Sequence, residues 1–292
     1  MQGAAVLALR EQEMNETRTK SDLEVPKIRG VMPKLGFGTF ELEGRTCRRA
    51  VRCALETGYR HIDTAAIYKN EEEVGKAVRE SGVAREELFL TTKVWWEDLS
   101  PAAVRRSLER SLRLLKTGYV DLFLIHWPNP EYPLEGTLEA MLDVHGEGKA
   151  RFLGVSNFPL RLMERARQTA PIFCNQVEYH PRLGQQKLLD ALRSRMMALV
   201  AYTPLGRGRD LENERVRSIA SRHDRHPAQV ILRWLLQQQE VAAIPRSSKP
   251  EHIRSNFDVL DFELGTDEMD AVFAMDEGER LIDPGWAPDW EA

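Results

Sequence analysis

From Leu35 onward the chain alternates between short apolar runs and longer segments whose apolar residues recur every three or four positions. The short runs begin near Leu35 (LGFGTF), His61 (HIDTA), Leu88 (LFLTTKVW), Asp121 (DLFLIHW), Arg151 (RFLGVSN), Phe173 (FCNQVEY), Leu199 (LVAYTPL) and Val241 (VAAIPRSS). They read as eight strands about 29 residues apart, room for one strand, one helix and two loops per unit. The segments between them carry helical stripes. Cys47, Ala50, Val51, Ala54 and Leu55 follow the i, i+3, i+4, i+7, i+8 rule, while Arg48, Arg49 and Arg52 fall off that face. Val104, Leu108, Leu112 and Leu115 repeat the pattern after the third strand, as do Val230, Ile231, Trp234 and Leu235 before the eighth.

Regular strand–helix alternation predicts a parallel sheet, either open and doubly wound or closed into a barrel. The open form usually begins with G-x-G-x-x-G between its first strand and helix, and GFGTFELEG does not match. Eight units within about 220 residues favour closure. An extra helical segment over Thr266–Met275 and a short C-terminal tail follow. The expected fold is thus an α/β protein, a (β/α)8 TIM barrel. Residues 1–24, polar and aperiodic after one apolar patch, are expected to be a flexible tail, and 25–292 a single barrel domain.

Composition narrows the function. With 41 basic and 45 acidic residues the net charge is −4, which offers no field for a nucleic acid or an anionic membrane. Cys47, Cys53 and Cys174 have neither metal-type nor disulfide-framework spacing and read as core or free thiols. The patch Ala4–Leu9 has no basic residue ahead of it, unlike a secretory signal, and no run approaches the roughly 20 apolar residues of a membrane span. A cytoplasmic protein is expected. Nothing points to obligate assembly, so a monomer is expected too.

In such barrels the reacting groups sit at the C-terminal ends of strands, where the βα loops converge. Asp63 ends the second strand, Lys93 the third, His126 the fourth, Ser156 and Asn157 the fifth, Gln176 the sixth, and Arg246 and Ser247 the eighth. Tyr68 lies in the loop five residues past Asp63. Singly, each charge reads as a cap or a solvated loop group; together they read as one cluster, because buried Asp, Lys and His are costly unless paired. Tyr68, Lys93, Asp63 and His126 make sense as a device that gives a proton to a carbonyl oxygen. A phenol ionises near pH ~10, an adjacent ammonium would lower that value, and Asp63 would hold the ammonium. His126 could donate a hydrogen bond to the same oxygen. No metal-ligand spacing is found and no metal is expected.

GYRHIDTAAIYKNEEEVG (Gly58–Gly75), TTKVW (Thr91–Trp95), DLFLIHWP (Asp121–Pro128), GVSNF, NQVEYHP and IPRSS resemble the aldo-keto reductase family, from about Leu35 to the C-terminus. The resemblance implies an oxidoreductase that reduces an aldehyde or ketone to an alcohol by hydride transfer from NADPH. Tyr68 would be the general acid and Lys93, Asp63 and His126 would complete the tetrad. It further implies that Ser156, Asn157 and Gln176 hold the nicotinamide carboxamide, that Tyr202 stacks on the ring, and that Thr39 and Asp63 border the ribose. Thr203 and Leu205 belong to the same cofactor site. Without the resemblance, Tyr202 reads equally as a packed core aromatic.

Arg246, Ser247, Ser248 and Lys249 directly precede Pro250, a residue suited to the first turn of a helix, and suit an adenosine 2′-phosphate; His252 and Asn256 follow on that helix. The chain departs from the commonest family pattern here. Arg246 stands where a lysine is usual, His252 where an arginine is usual and Ser255 where a glutamate is usual. NADPH is the expected cofactor, with NADH the alternative.

Phe40, Trp95 and Trp127 follow strand ends and, with His126, are expected to wall the substrate pocket, although core packing explains the aromatics about as well. Trp96 joins them or packs beneath the loop. Trp286 and Trp290, in LIDPGWAPDW, fold over the mouth or cap the barrel elsewhere. The short loop WPNPEYPLEG and the short tail predict an open site. ESGVAREELF, SSK and RLIDPGWAPDW resemble the bacterial 2,5-diketo-D-gluconate reductase and methylglyoxal reductase branch, which implies small dicarbonyls and aldehydes, aromatic ones included, as substrates. A second reading is a cofactor-binding sensor or regulatory subunit with little turnover. A third, a barrel enzyme of carboxylate chemistry, would need a second carboxylate beside Asp63.

Overall fold

A computed structural model describes residues 24–290, so the tail expected over residues 1–24 lies, but for Glu24, outside the described residues. A short antiparallel hairpin, β1 (Lys27–Ile28) and β2 (Met32–Pro33), comes first. Eight strands follow: β3 (Phe37–Gly38), β4 (His61–Asp63), β5 (Phe89–Val94), β6 (Val120–Ile125), β7 (Ala150–Ser156), β8 (Ile172–Glu178), β9 (Ala198–Tyr202) and β10 (Val241–Ala243). All are parallel and each pairs with the next in sequence. Each begins within two residues of its expected start.

The sheet closes. Leu35 bridges Ala243 in parallel, Gly36 N–H donates to Ala243 O at 2.9 Å, and Gly38 N–H to Pro245 O at 3.0 Å. Glycine is required along this seam, because a Cβ on Gly38 would stand 2.8 Å from Ile244 O, and one on Gly36 2.7 Å from His61 Nδ1. The first and last strands can meet only where no side chain intervenes.

Strand alternation divides the core into two layers. Leu122 and Leu124 point into the barrel with Phe89, Phe173, Ala198, Val200 and Ala242, while Phe123 and Ile125 face the helices. Ile28 and Met32 of the hairpin join the inner cluster and plug the N-terminal end. Apolar side chains thus fill most of the lower barrel, where buried His61 lies 3.2 Å from Pro33 O and 3.3 Å from Thr91 Oγ1, and the charged pair Asp63 and Lys93 lies towards the other mouth. The hairpin was not foreseen: strands of two residues show no period, and its turn signal is only Arg29 and Gly30, both at positive φ (50° and 71°).

The helices lie as the stripes predict. In the helix Gly44–Thr57 all five stripe residues are buried, and Gly58 ends it at φ 123°, donating back to Ala54 O. Pro101, Pro227 and Pro250 each open a helix, where the missing N–H costs nothing. The extra C-terminal helix spans Thr266–Phe273, two residues shorter than expected. Cys47, Cys53 and Cys174 are free and buried.

Candidate active site

The register of β4 and β5 sets Asp63 opposite Thr91. Lys93, two residues further, therefore shares the inward face of the barrel. The lysine is wholly buried; its Nζ donates to Asp63 Oδ1 at 2.5 Å, Thr64 O at 2.9 Å and the Tyr68 hydroxyl at 3.5 Å. The other oxygen of Asp63 accepts from Gln176 Nε2 at 2.8 Å, which ties β4 to β8 across the mouth. Tyr68 rides on a single 3-10 turn, Ala66–Tyr68, and its ring packs against His126 at 5.5 Å, edge to face, and against Phe40 at 5.1 Å. Four side chains from three strand ends and one loop thus meet.

Asn70, not singled out in the sequence, holds this loop. Its Nδ2 donates to Thr39 O and Leu42 O, at 2.8 and 3.0 Å, and its Oδ1 accepts from Thr64 Oγ1 at 2.8 Å. Thr39 Oγ1 in turn donates to Asp63 O at 3.0 Å. Buried amide groups must find partners, so this network fixes the first loop against the second.

The electrostatics correct one expectation. Burial, then Asp63 and Tyr202, push the Tyr68 phenol well above its usual value of 10, so the net shift is opposite to the one expected. The ammonium is held by Asp63, an ångström closer than the phenol, and that carboxylate opposes phenolate formation. Burial likewise lowers Lys93, against the pull of Asp63. His126 is held well below the usual imidazole value by burial and by Lys93, so its ring is neutral at pH 7. Its Nδ1 has no partner among the described residues. The resting site therefore holds a protonated phenol beside a neutral imidazole.

Beside this group lie the ends of β7, β8 and β9. Ser156 Oγ donates to Gln176 O at 2.8 Å, Asn157 Nδ2 to His126 O at 3.0 Å, and the Tyr202 hydroxyl to Asn157 Oδ1 at 2.7 Å. Asn157 and Thr203 are in the left-handed region, at φ 62° and 49°. Asparagine tolerates this; a β-branched threonine does so rarely, and such strain concentrates at functional sites.

A cavity of about 1050 Å³ opens over these ends. It is lined by Thr39, Phe40, Asp63, Tyr68, Trp95, His126, Trp127, Asn157, Gln176, Tyr202, Thr203, Leu205 and Arg246. Lys93 and Ser156 lie behind that surface, Lys93 bonded to Asp63 and Tyr68 and Ser156 to Gln176 O. Ser247, Ser248, His252 and Asn256 do not line it. Ser247 and Asn256 are buried, Ser248 and His252 exposed, around the helix Pro250–Phe257. Arg246 Nε donates to Phe40 O at 3.0 Å, and its Nη2 lies 3.4 Å from Glu41 Oε2.

Several lining residues were not foreseen: Glu41, Glu43, Ile67, Arg207, Gly208 and the tail residues Leu281, Ile282, Asp283 and Pro284. Trp286 settles its open placement. It stacks on Trp96 at 4.5 Å and meets Trp95 and Trp127 edge-on, so the tail, although short, reaches the mouth that was expected to be open. Trp96 packs in that stack and does not line the cavity. The tryptophan-rich ending carried the signal, but not the direction in which it folds.

A (β/α)8 barrel with a half-buried tyrosine over a buried Lys–Asp–His group at its C-terminal mouth is the class that fold and site define. Comparison with known proteins agrees. Residues 34–277 match the model of the Aldo/keto reductase family. The chain is 45% identical to Glyoxal reductase of Bacillus subtilis, covering 86% of this chain and 91% of that one. It is 41% identical to Methylglyoxal reductase DkgB of Escherichia coli O157:H7, over 89% and 99%. Among solved structures, one with the proposed name 2,5-diketo-D-gluconic acid reductase B superposes with a TM-score of 0.87 at 42% identity, covering 89% of this chain and 94% of that one. The Aldose Reductase of Schistosoma japonicum superposes with a TM-score of 0.85 at 32% identity, over 91% and 96%. The chain belongs to the aldo/keto reductase family. It is an oxidoreductase that reduces carbonyl groups with a nicotinamide dinucleotide as reductant.

Proposed function

We propose that the protein reduces small aldehydes, ketones and dicarbonyls of the methylglyoxal type to alcohols, with NADPH as its preferred reductant and Tyr68 as general acid. The observation that carries this reading is the 3.5 Å contact between the Tyr68 hydroxyl and a fully buried Lys93 that Asp63 holds at 2.5 Å. The bound nicotinamide supplies hydride. As charge builds on the carbonyl oxygen, Tyr68 gives up its proton, and the phenolate left behind faces Lys93 Nζ. The high resting value of the phenol keeps that proton in place until then. Neutral His126 orients the carbonyl, and Phe40, Trp95 and Trp127 wall the pocket.

The residues fit a dinucleotide. Asn157 and Gln176 line the cavity beside Asp63 with Ser156 behind them, and these amides suit a carboxamide; Tyr202 offers a ring face, and Thr39, Asp63, Thr203 and Leu205 line the path beyond. Arg246, with Ser247, Ser248, His252 and Asn256 on the following segment, suits the adenosine phosphate. The reading is tested by NADPH consumption with methylglyoxal and with an aromatic aldehyde. Tyr68→Phe should keep the cofactor affinity and lose about 10²–10⁴-fold in kcat. A parent protein that binds cofactor without turnover would favour the sensor reading, and an undiminished Tyr68→Phe would remove the mechanism.

A further inference from the structure

Glu178, the last residue of β8, and His180 belong to the NQVEYHP stretch and line no part of the cavity. Both side chains are wholly buried. The carboxylate of Glu178 accepts from two consecutive backbone amides of the C-terminal tail, Leu281 N–H at Oε1 (2.8 Å) and Ile282 N–H at Oε2 (2.9 Å). His180 Nε2 lies 3.0 Å from Oε1, and its Nδ1 lies 3.5 Å from Asp210, itself buried. Arg182 joins Asp210 to Glu279 of the tail, at 3.2 and 3.0 Å.

These contacts are not equal. Glu277 and Glu279 meet Arg182 and Arg209 in partly exposed ion pairs, each worth little. The Glu178 carboxylate is dry and receives charge-assisted hydrogen bonds, and removing it would strand two donors. Immediately beyond Ile282 the tail lines the cavity through Asp283, Pro284 and Trp286. Trp286 touches Trp95 and Trp127, and Trp95 in turn touches the His126 ring at 5.3 Å.

We propose that Glu178 is a positioning residue that clamps the C-terminal tail, sets where Trp286 stands in the substrate cavity, and so selects among carbonyl compounds by size without touching them. The inference rests on reading that cavity as the substrate site. In Glu178→Gln the carboxamide NH2 faces one of the two amide donors, so the clamp opens while the side-chain shape is kept.

The test combines near-UV circular dichroism with kinetics on the full chain. The parent should show coupled signals from the stacked Trp96 and Trp286. Glu178→Gln should lose them with an unchanged far-UV spectrum, raise KM for an aromatic aldehyde about five-fold or more, and leave kcat and KM for glyoxal within about two-fold. Trp286→Ala should likewise lose the coupled signals and raise KM for the aromatic aldehyde, and the double variant should raise that KM no further. Where Glu178→Gln does not fold, Leu281→Pro deletes one tail amide without altering a barrel strand, and should show the same loss of near-UV signals and the same rise in KM for the aromatic aldehyde. Parental near-UV signals and parental KM in the folded variants, or an equal loss of kcat on every substrate, would overturn the clamp. A parent that reduces no carbonyl would instead overturn the proposed function, while the spectra would still report on the clamp.

Discussion

Lys93 Nζ lies 2.5 Å from Asp63 Oδ1, and neither side chain is open to solvent. Breaking a buried pair from one side leaves an uncompensated charge, at a cost of about 3–5 kcal/mol. Asp63→Ala and Lys93→Met should each lower the urea midpoint accordingly, and the double variant should recover part of the loss while remaining inactive. A double variant as unstable as both losses combined would mean that the two groups are not energetically coupled.

The pH dependence of turnover follows from the direction of each shift. His126 is already neutral at pH 7, so kcat/KM should be level from about pH 6 to 8, without a break at the ordinary imidazole value. The alkaline limb should begin below the usual lysine value of 10.5, because burial lowers Lys93 whereas it raises Tyr68. Steady-state profiles decide this: a break near pH ~6.5 would put the working proton on the imidazole.

Arg246 and Glu41 meet at 3.4 Å beside the cavity, both substantially exposed. The carboxylate competes with any phosphate for that guanidinium, with the modest strength of an exposed pair. Arg246→Ala should raise KM for NADPH much more than for NADH, and Glu41→Gln should lower KM for NADPH by about two-fold to five-fold. An equal effect of Arg246→Ala on both cofactors would remove Arg246 from phosphate recognition.

Stability should also respond to pH. Burial holds His61 and His126 below the ordinary value of 6.5, so the unfolded chain binds protons that the folded chain refuses. Their contribution is fully present above about pH 6.5 and drains away as pH falls through the lower folded values. Urea midpoints should therefore drop between about pH 7 and 5.5, and less steeply in His61→Asn, whose side chain does not titrate in this window.

Much of the fold was legible because barrels repeat. Each strand carries a short apolar run, each helix a stripe, and a lost unit would have broken the spacing; the strand starts at Leu35 and Val241 bracket the closed sheet within two residues. The site was legible where chemistry and position coincide: a buried Lys93 at a strand end demands a counter-charge, and Asp63 is that counter-charge. Asn70 and Glu178 were not, and for Trp286 only the direction was hidden, because the role of an amide, a carboxylate or an indole depends on a neighbour distant in sequence.

The sequence by itself determined the period, the faces of strands and helices and which polar residues stand at the mouth, since these follow from local spacing and the cost of burying charge. Only the tertiary structure decided the direction of the Tyr68 shift, the strain at Thr203 and the path of the tail over the cavity. Each depends on distances between segments joined by closure of the barrel, and desolvation and through-space electrostatics depend on those distances rather than on sequence separation.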